Sequence, residues 1–291
     1  MKFARFGDGR LGVVIADSIV DITGTTAETQ SGRLHDLIVS GSTITEAELK
    51  AAPRQCLDEV RLLAPLPLPP KIVAAPVNYL DHKVEMKVTH TVADLGVFLK
   101  AHTSVIGPNG VVRLPFTDVR HDQEAELGVV IGARCHNISP DDALDAVFGY
   151  TCLFDMTLRS TEDRSTRKSF DTFTPLGPVV VTKDEVGDPS QLRMSCWVNG
   201  EPRQDTSTGD LIFDVPTLIA YVSSVMTLEP GDVIATGTPA GVGQVNSGDR
   251  LTMEITGLGR LEVTVSDEGA IAYGSRIGAR LAAQGSATAV G

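Results

Sequence analysis

The amino-acid sequence predicts a mainly β fold of the α+β class, with a barrel-like or stacked-sheet core and few helices. Short apolar runs rich in β-branched residues recur along the chain, and turn residues separate most of them, since the chain has 28 glycines and 16 prolines. Runs of this length between turn residues are typical of strands. A hydrophobic content of 42% and a charged content of 21% indicate an ordinary globular protein in which such strands can bury a core.

The first part of the chain predicts a small β-domain. Residues 3–22 alternate short apolar runs with glycine turns, which indicates a β-meander. Helical patches follow at 34–39 and 45–52. Four prolines at 65–70 then exclude a helix or a central strand and indicate a stiff, extended spacer. We therefore expect the N-terminal β-domain to cover residues 1–69.

The second domain is expected over residues 70–282, where strand patterns dominate. The predicted strands are 72–75, 96–99, 111–114, 126–131, 179–181, 194–198, 233–235, 250–255 and 261–266. Helices are predicted at 140–146, with Ser139 as N-cap, and at 215–224. The last residues, 283–291, are small and polar, so we expect a frayed tail.

Charge and cysteine content argue against several classes of protein. The net charge is −12 and no basic run appears, which disfavours nucleic acid and anionic membranes as partners. The four cysteines lack the spacing of a zinc site, and the first residues lack the apolar core of a signal peptide. No run approaches the roughly 18 apolar residues that a membrane-spanning helix needs. We therefore expect a cytoplasmic protein.

A pair of carboxylates is the first candidate for a functional site. Glu124 and Glu126 stand two positions apart at the start of an apolar run, and on a strand they would project from one face. Asp155 follows the next apolar run. Ionised carboxylates do not share a dry pocket without a cation or a shared proton, and oxygen ligands favour Mg²⁺ or Mn²⁺. The alternative is a polar strand edge with two solvated glutamates.

A histidine–glutamate pair is the second candidate. His82 and Glu85 are three positions apart, so on a helical turn they share one face. A carboxylate beside an imidazole orients the ring and makes it a general base for water. The alternative is an ordinary charge pair on a surface helix. The β-branched run in residues 87–95 weakens any helix there, which suits a lid that orders over substrate.

Two further segments carry polar groups that could meet an anion. Four cationic residues follow Asp155 within fourteen positions, namely Arg159, Arg164, Arg167 and Lys168. A lysine beside a metal could neutralise a developing enolate, although a solvated loop with ion pairs is the commoner arrangement. The glycine-rich segment 236–243 could bring backbone N–H groups and the Thr238 hydroxyl to an anion, or form a tight β-turn. Its glycines do not fit a dinucleotide fingerprint, and the chain has no Gly-x-Ser-x-Gly elbow.

The order of these motifs resembles that of the fumarylacetoacetate hydrolase superfamily, in its acylpyruvase and 2-hydroxyhepta-2,4-diene-1,7-dioate isomerase-like branch. The motifs lie at 78–85, 98–107, 124–132, 147–151, 168–173 and 228–239. The resemblance covers about residues 70–266. It implies a mixed β-roll core behind a small N-terminal β-domain, and a homodimer.

The resemblance also implies roles for individual residues. It makes Glu124, Glu126 and Asp155 the ligands of Mg²⁺ or Mn²⁺, with Ca²⁺ a possible substitute in crystals. The remaining implied roles are catalysis by His82, Glu85 and Lys168, with the first two on a mobile lid, and contact with a keto-acid substrate by Tyr79, Lys100, Arg159 and Thr238.

One position departs from the family pattern. Glu162 stands where the family often has glutamine. A carboxylate there would repel an anionic substrate unless a cation such as Arg159 or Arg164 paired with it. The departure puts in doubt the substrate-positioning role that this position usually has.

Three hypotheses on function are open, and the first two rest on the resemblance. The first is metal-dependent hydrolysis of a carbon–carbon bond in 2,4-dioxo acids such as acylpyruvates or fumarylpyruvate. The second keeps the metal site but makes the protein an oxaloacetate-type decarboxylase, a 2-oxo-enoate isomerase or a sugar-acid dehydratase. The third is a non-catalytic binding protein whose cation only stiffens the fold. The sequence leaves open the substituent beyond the 4-carbonyl of the substrate.

Overall fold

β-Sheets build most of the molecule. The computed structural model describes residues 1–277, so the expected tail at 283–291 lies outside the described residues. The strands are β1 (Lys2–Phe6), β2 (Arg10–Ile15), β3 (Ser18–Asp21), β4 (Arg54–Cys56), β5 (Leu62–Leu63), β6 (Ile72–Ala74), β7 (Phe98–Lys100), β8 (Val105–Ile106), β9 (Val111–Arg113), β10 (His121–Gln123), β11 (Ala125–Ile131), β12 (Val147–Phe154), β13 (Thr157–Leu158), β14 (Thr174–Thr182), β15 (Arg193–Val198), β16 (Glu201–Ser207), β17 (Val233–Ala235), β18 (Gly243–Gln244), β19 (Arg250–Ile255) and β20 (Gly259–Ser266).

The α-helices are short apart from the last one. They are α1 (Leu34–Ser40), α2 (Glu46–Ala51), α3 (Leu80–Glu85), α4 (Val92–Leu95), α5 (Arg164–Arg167), α6 (Lys183–Val186) and α7 (Val215–Val225). Within residues 1–277, no helix is both long and apolar enough to cross a membrane.

The strands form one large sheet and two smaller ones. The large sheet has the order β4-β3-β2-β1-β14-β12-β11-β17-β6-β7, with β5 beside β1 and β8 beside β14. The smaller sheets have the orders β13-β10-β18 and β16-β15-β19-β20-β9. Most pairs are antiparallel, but β17–β6, β14–β8 and β20–β9 are parallel. The prediction of a mainly β fold with mixed sheets is confirmed. The sheets of the described residues are open rather than closed into a barrel.

The N-terminal strands share a sheet and a core with the rest of the protein. β1 pairs with β14 through Lys2 opposite Val181 and Phe3 opposite Val180. Phe3 is packed in one buried cluster with Leu153, from β12. The proline-rich segment at 65–70 therefore marks a change in sequence composition, while the hydrophobic core continues across it.

Most predicted elements form, with three informative differences. β12 is absent from the predicted strands, because Gly149, Tyr150 and Thr151 interrupt its apolar run. β16 was also missed, because its sequence is polar and it forms through pairing with β15. The helix predicted at 140–146 is wrong in type: Ser139 Oγ accepts from the Asp142 N–H, but only a 3₁₀ turn, Ala143–Ala146, follows.

The antiparallel pair of β11 and β12 positions the acidic residues. Ala125, which begins β11, lies opposite Phe154, which ends β12. Glu124 comes just before that pair and Asp155 just after it. The expectation that Glu124 and Glu126 share one continuous strand is therefore corrected, since Glu124 lies in the break between β10 and β11.

Candidate metal centre and active site

Three carboxylates converge at the end of the β11–β12 pair. The Asp155 backbone N–H donates to the Glu124 carbonyl oxygen at 2.8 Å, which holds the two residues side by side. Glu126 Oε2 accepts from the Gly237 N–H at 2.7 Å. The three side chains are buried, and each offers one oxygen within 4.8 Å of the others. The pairing of β11 with β12 therefore brings the carboxylates together. From the sequence, the spacing of Glu124 and Glu126 along one strand was expected to do this.

Three cations surround these carboxylates. Lys168 Nζ donates to Glu124 Oε2 at 2.6 Å and also to Asp155 Oδ2. Lys100 Nζ donates to Asp155 Oδ1. Arg159 donates to Glu124 Oε1 at 2.9 Å. The cluster is thus a buried network of charge-assisted hydrogen bonds rather than a solvated acidic edge.

The two glutamates differ in how strongly they hold a proton. Burial acts to raise the pKa of Glu124, but the charges of Lys168 and Arg159 outweigh it and hold that pKa well below its usual range. Burial, with the nearby charge of Asp155, raises the pKa of Glu126 well above its usual range. Glu126 is therefore the carboxylate whose charge has the least compensation in the protein alone.

The donor set fits a hard divalent cation. Carboxylate oxygens are the ligands that Mg²⁺ and Mn²⁺ prefer in proteins. Burial and, second to it, repulsion from Asp155 raise the pKa of Glu126, and a cation between Glu124, Glu126 and Asp155 would offset both effects. These three residues could hold a metal, and their geometry does not distinguish magnesium from manganese.

The histidine–glutamate pair lies on α3, where residues three positions apart share one face. His82 is buried, and its Nδ1 lies 3.3 Å from Glu85 Oε2. The other oxygen of Glu85, Oε1, accepts from the Gly241 N–H at 2.9 Å. The second carboxylate oxygen therefore connects α3 to the glycine-rich segment. This hydrogen bond fixes the position of the Glu85 carboxylate, which in turn orients the His82 imidazole.

The expected lid contains one turn of helix. After α3, Lys87 adopts a positive φ of 53°, which ends the helical path. The Thr91 N–H then donates to Asp94 Oδ2 at 2.9 Å, as the start of α4. Val92 is buried, so this segment is attached to the body of the protein at that side chain.

A cavity of about 210 Å³ lies in front of the carboxylates. Seven of the ten residues predicted for the site line it: His82, Glu124, Glu126, Asp155, Arg159, Lys168 and Thr238. Its remaining wall is partly apolar, with Met86, Val88 and Phe98, and partly basic, with Arg164 and Arg167. The cavity can therefore take a small anionic molecule that also has an apolar part.

Two residues expected to touch substrate lie behind the cavity wall. Lys100 donates to Asp155 and to the carbonyl oxygens of Lys168 at 2.7 Å and Phe173 at 3.2 Å, which uses all three of its protons. Tyr79 is fully buried and is not among the residues that line the cavity. Lys100 therefore supports Asp155 and the loop that carries Lys168.

Thr238 lines the cavity, but its hydroxyl is already bonded. It donates to the Ala125 carbonyl oxygen at 2.9 Å and accepts from Gln204 Nε2 at 2.7 Å. Contact of this hydroxyl with a substrate carboxylate would require it to release Ala125.

Glu162 is paired, but with neither of the two arginines considered from the sequence. Its carboxylate forms an ion pair with Arg276 and accepts from the Tyr273 hydroxyl at 3.2 Å. The Arg276 guanidinium also lies 5.6 Å from the centre of the Phe170 ring. The charge of Glu162 is thus neutralised away from the cavity, by a segment far along the chain.

Sequence reasoning missed two residues that support the site. Asp122 Oδ2 accepts from Arg159 Nε at 2.7 Å and so fixes the arginine that meets Glu124. Gln204 accepts from the Ala125 N–H at 3.0 Å and donates to Thr238. Asp122 stands two positions before Glu124, and this repeated spacing was an available signal. Gln204 had none, because it lies on the polar strand β16.

The chain matches one family model and is similar to two relatives that are named as hydrolases. Residues 71–266 match the family described as fumarylacetoacetate (FAA) hydrolase, C-terminal. The chain is 41% identical over 284 residues to the maleylpyruvate hydrolase of Aquipseudomonas alcaligenes, covering 91% of this chain and 99% of that protein. It is 38% identical over 284 residues to the 2,4-didehydro-3-deoxy-L-rhamnonate hydrolase of Sphingomonas sp. (strain SKA58), covering 92% of this chain and 96% of that protein.

A solved structure gives the same result for the fold. The crystal structure of the maleylpyruvate hydrolase from Sphingobium sp. SYK-6, in complex with manganese(II) and pyruvate, has a TM-score of 0.81 and 42% sequence identity to this chain. The match covers 91% of this chain and 99% of the solved one. The match is therefore longer than residues 71–266, which the family model covers.

Proposed function

The chain belongs to the fumarylacetoacetate hydrolase family, and we propose that it hydrolyses a carbon–carbon bond in 2,4-dioxo acids of the acylpyruvate type. The observation that carries this proposal is the cavity shared by a buried carboxylate triad, Lys168 and the histidine of a His–Glu dyad. These groups provide a cation site, a positive charge and a base around one small volume.

The triad would hold Mg²⁺ or Mn²⁺. Bound there, the cation would act as a Lewis acid and template for the carboxylate and 2-oxo oxygens of the substrate. Support comes from the relative of known structure, which was crystallised with manganese(II) and pyruvate. Pyruvate is the keto-acid product that hydrolysis of an acylpyruvate releases.

His82 would act as the general base. Glu85 at Nδ1 selects the tautomer in which that nitrogen carries the proton, and Nε2 is then free to accept one from water. The hydroxide adds to the 4-carbonyl carbon, and the bond between carbons 3 and 4 then breaks. Carbon 4 becomes a carboxylate, while carbon 3 keeps the electron pair and takes a proton to give pyruvate. One water is consumed for each molecule cleaved.

Lys168 would stabilise the charge that develops on the 2-oxo oxygen as this bond breaks. Its ammonium already lies between Glu124 and Asp155, in a buried position where a fixed charge acts strongly. The charges of Asp155 and Glu124 outweigh the effect of burial and raise the pKa of Lys168 above its usual value. The lysine therefore stays positively charged throughout the neutral range.

Analysis of products tests the proposal. We expect purified protein with Mg²⁺ or Mn²⁺ to convert acetylpyruvate to equal amounts of acetate and pyruvate. A chelator should stop this reaction, and fresh metal should restore it. CO₂ release from oxaloacetate without cleavage of acetylpyruvate or maleylpyruvate would instead assign the site to a decarboxylase, which uses the same metal and lysine.

Two expectations about the whole protein belong to this proposal. A cytoplasmic location is expected from the sequence, and a homodimeric state is implied by the family resemblance. Analytical ultracentrifugation of the purified chain tests the second, since a homodimer should have twice the mass of 30.8 kDa.

A further inference from the structure

The segment between β17 and β18 contacts both halves of the candidate site. The Gly237 N–H donates to Glu126 Oε2 at 2.7 Å, and the Gly241 N–H donates to Glu85 Oε1 at 2.9 Å. Residues 236–242 form neither a helix nor a strand, so a regular ladder of backbone hydrogen bonds does not position these two N–H groups. Their positions therefore depend on contacts with side chains of other segments.

Gln123 holds the end of this segment that meets Glu85. Its side chain is fully buried at the end of β10. Gln123 Nε2 donates to the Gly241 carbonyl oxygen at 3.0 Å, and Gln123 Oε1 accepts from the Gly243 N–H at 3.0 Å. Glycine has wide freedom in φ and ψ, so without this amide the Gly241 N–H could turn away from Glu85. One side chain on β10 thus fixes the backbone group that holds the partner of the candidate base.

Gln204 holds the other end of the segment, beside Glu126. It is buried on β16, a strand of a different sheet. Gln204 Nε2 donates to Thr238 Oγ1 at 2.7 Å, and Gln204 Oε1 accepts from the Ala125 N–H at 3.0 Å. Ala125 directly precedes Glu126, and Thr238 directly follows Gly237, which bonds the Glu126 carboxylate. Gln204 therefore fixes the backbone on both sides of that hydrogen bond.

We propose that Gln123 is a positioning residue for the candidate base and that Gln204 is a positioning residue for the candidate metal ligands. The inference rests on the proposed function. Among the described residues, neither glutamine lines the cavity, so each acts on the site through the hydrogen bonds described above. Partners of this kind commonly change activity or metal affinity by about 10- to 100-fold.

Replacement of each glutamine by methionine tests this division, because methionine has a similar length but no N–H donor. We expect Gln123→Met to lower kcat for acetylpyruvate about tenfold and to leave the dissociation constant of Mn²⁺, measured by calorimetry, within about twofold of the wild type. Gln204→Met should raise that dissociation constant about tenfold. Gln244→Met, at an exposed position on β18, is the matched control and should change neither value.

A double-variant cycle with Glu85→Ala separates positioning from a general loss of structure. If Gln123 acts through Glu85, Gln123→Met should lower kcat no further in a protein that already lacks the Glu85 carboxylate. An equal loss in both backgrounds would overturn the role of Gln123 while leaving hydrolysis in place. An unchanged Mn²⁺ dissociation constant in Gln204→Met would overturn the role of Gln204.

Two further measurements keep these outcomes distinct. Urea unfolding shows whether each variant folds, and Gln123→Asn, which keeps the amide on a shorter side chain, takes the place of Gln123→Met in the cycle if the latter does not fold. A wild type that cleaves neither acetylpyruvate nor maleylpyruvate would overturn the proposed function and the role of Gln123 together. The Mn²⁺ titration would still decide the role of Gln204.

Discussion

Glu85 on α3 accepts a hydrogen bond at 2.9 Å from the backbone N–H of Gly241, a residue 156 positions away. The other oxygen of the same carboxylate faces His82 Nδ1 at 3.3 Å. One carboxylate thus joins the helix that carries the candidate base to the glycine-rich segment. An added Cβ at Gly241 would lie 1.8 Å from the Arg203 carbonyl oxygen, so the close approach at this position requires glycine.

His82→Ala should lower kcat by about 100-fold or more, the usual contribution of a general base. Binding of Mg²⁺ or Mn²⁺ should persist, because His82 is not one of the three carboxylates. Steady-state kinetics and calorimetric titration of the metal measure the two effects. Near-normal turnover in this variant would remove His82 from the mechanism.

Glu85→Gln should lower kcat by about 10-fold, less than loss of the base itself, because the imidazole remains but loses its charged partner. The amide can keep one of the two hydrogen bonds of the carboxylate, to His82 or to Gly241, but not both in their present form. Glu254→Gln, at an exposed position on β19, is the control and should retain the wild-type kcat. Equal kcat values in Glu85→Gln and the control would argue that Glu85 does not orient the base.

Glu126→Gln should separate the metal effect from the stability of the protein alone. With a metal at about 100 times its dissociation constant, the wild type should gain about 2.7 kcal/mol in free energy of unfolding. The variant should lose most of this gain. Without metal it should be at least as stable as the wild type, because burial and Asp155 raise the pKa of Glu126 and so disfavour its charge. Urea unfolding with Mg²⁺ or a chelator measures both values, and an undiminished metal effect would exclude Glu126 as a ligand.

His121 should make the protein less stable in acid. Burial lowers the pKa of His121 to about 4, whereas histidine in an unfolded chain titrates near 6.5. As the pH falls through that window, the unfolded chain takes up a proton that the folded protein does not. The free energy of unfolding should therefore fall by about 3 kcal/mol from this residue alone.

Urea unfolding at pH 7 and pH 4 tests this contribution. His121→Leu should show a smaller loss of stability between the two pH values than the wild type. The exposed His136, replaced by leucine, is the control and should leave the wild-type loss unchanged. Identical losses in the wild type and His121→Leu would contradict the assignment.

Glu162 and Arg276 should behave as a coupled pair. Each side chain is 28% exposed, so the ion pair should contribute about 0.5 kcal/mol to the free energy of unfolding. Glu162→Gln and Arg276→Met should each lose that amount, and the double variant should lose no more than either single one. A double-mutant cycle by urea unfolding measures the coupling. Fully additive losses would mean that the two residues act independently.

The difference between local and distant relationships explains which parts of the fold could be predicted. The meander at 3–22 and strand β11 follow from short apolar patterns that act within a few residues. β12 could not be recognised in this way, because Gly149, Tyr150 and Thr151 interrupt its apolar run, although the strand is buried almost throughout. The order of the strands in the large sheet likewise depends on contacts between distant segments.

The sequence by itself determined the chemical groups of the site. Its motifs predict three acids, a histidine with a glutamate three positions later, and a lysine as candidate site residues. Tertiary structure alone decided which of the other polar residues face the cavity. It placed Lys100 behind Asp155 and paired Glu162 with Arg276, 114 positions away. The physical reason is that spacing governs only neighbours within a turn or a strand, whereas the partner of a buried charge is set by whichever segments pack against it.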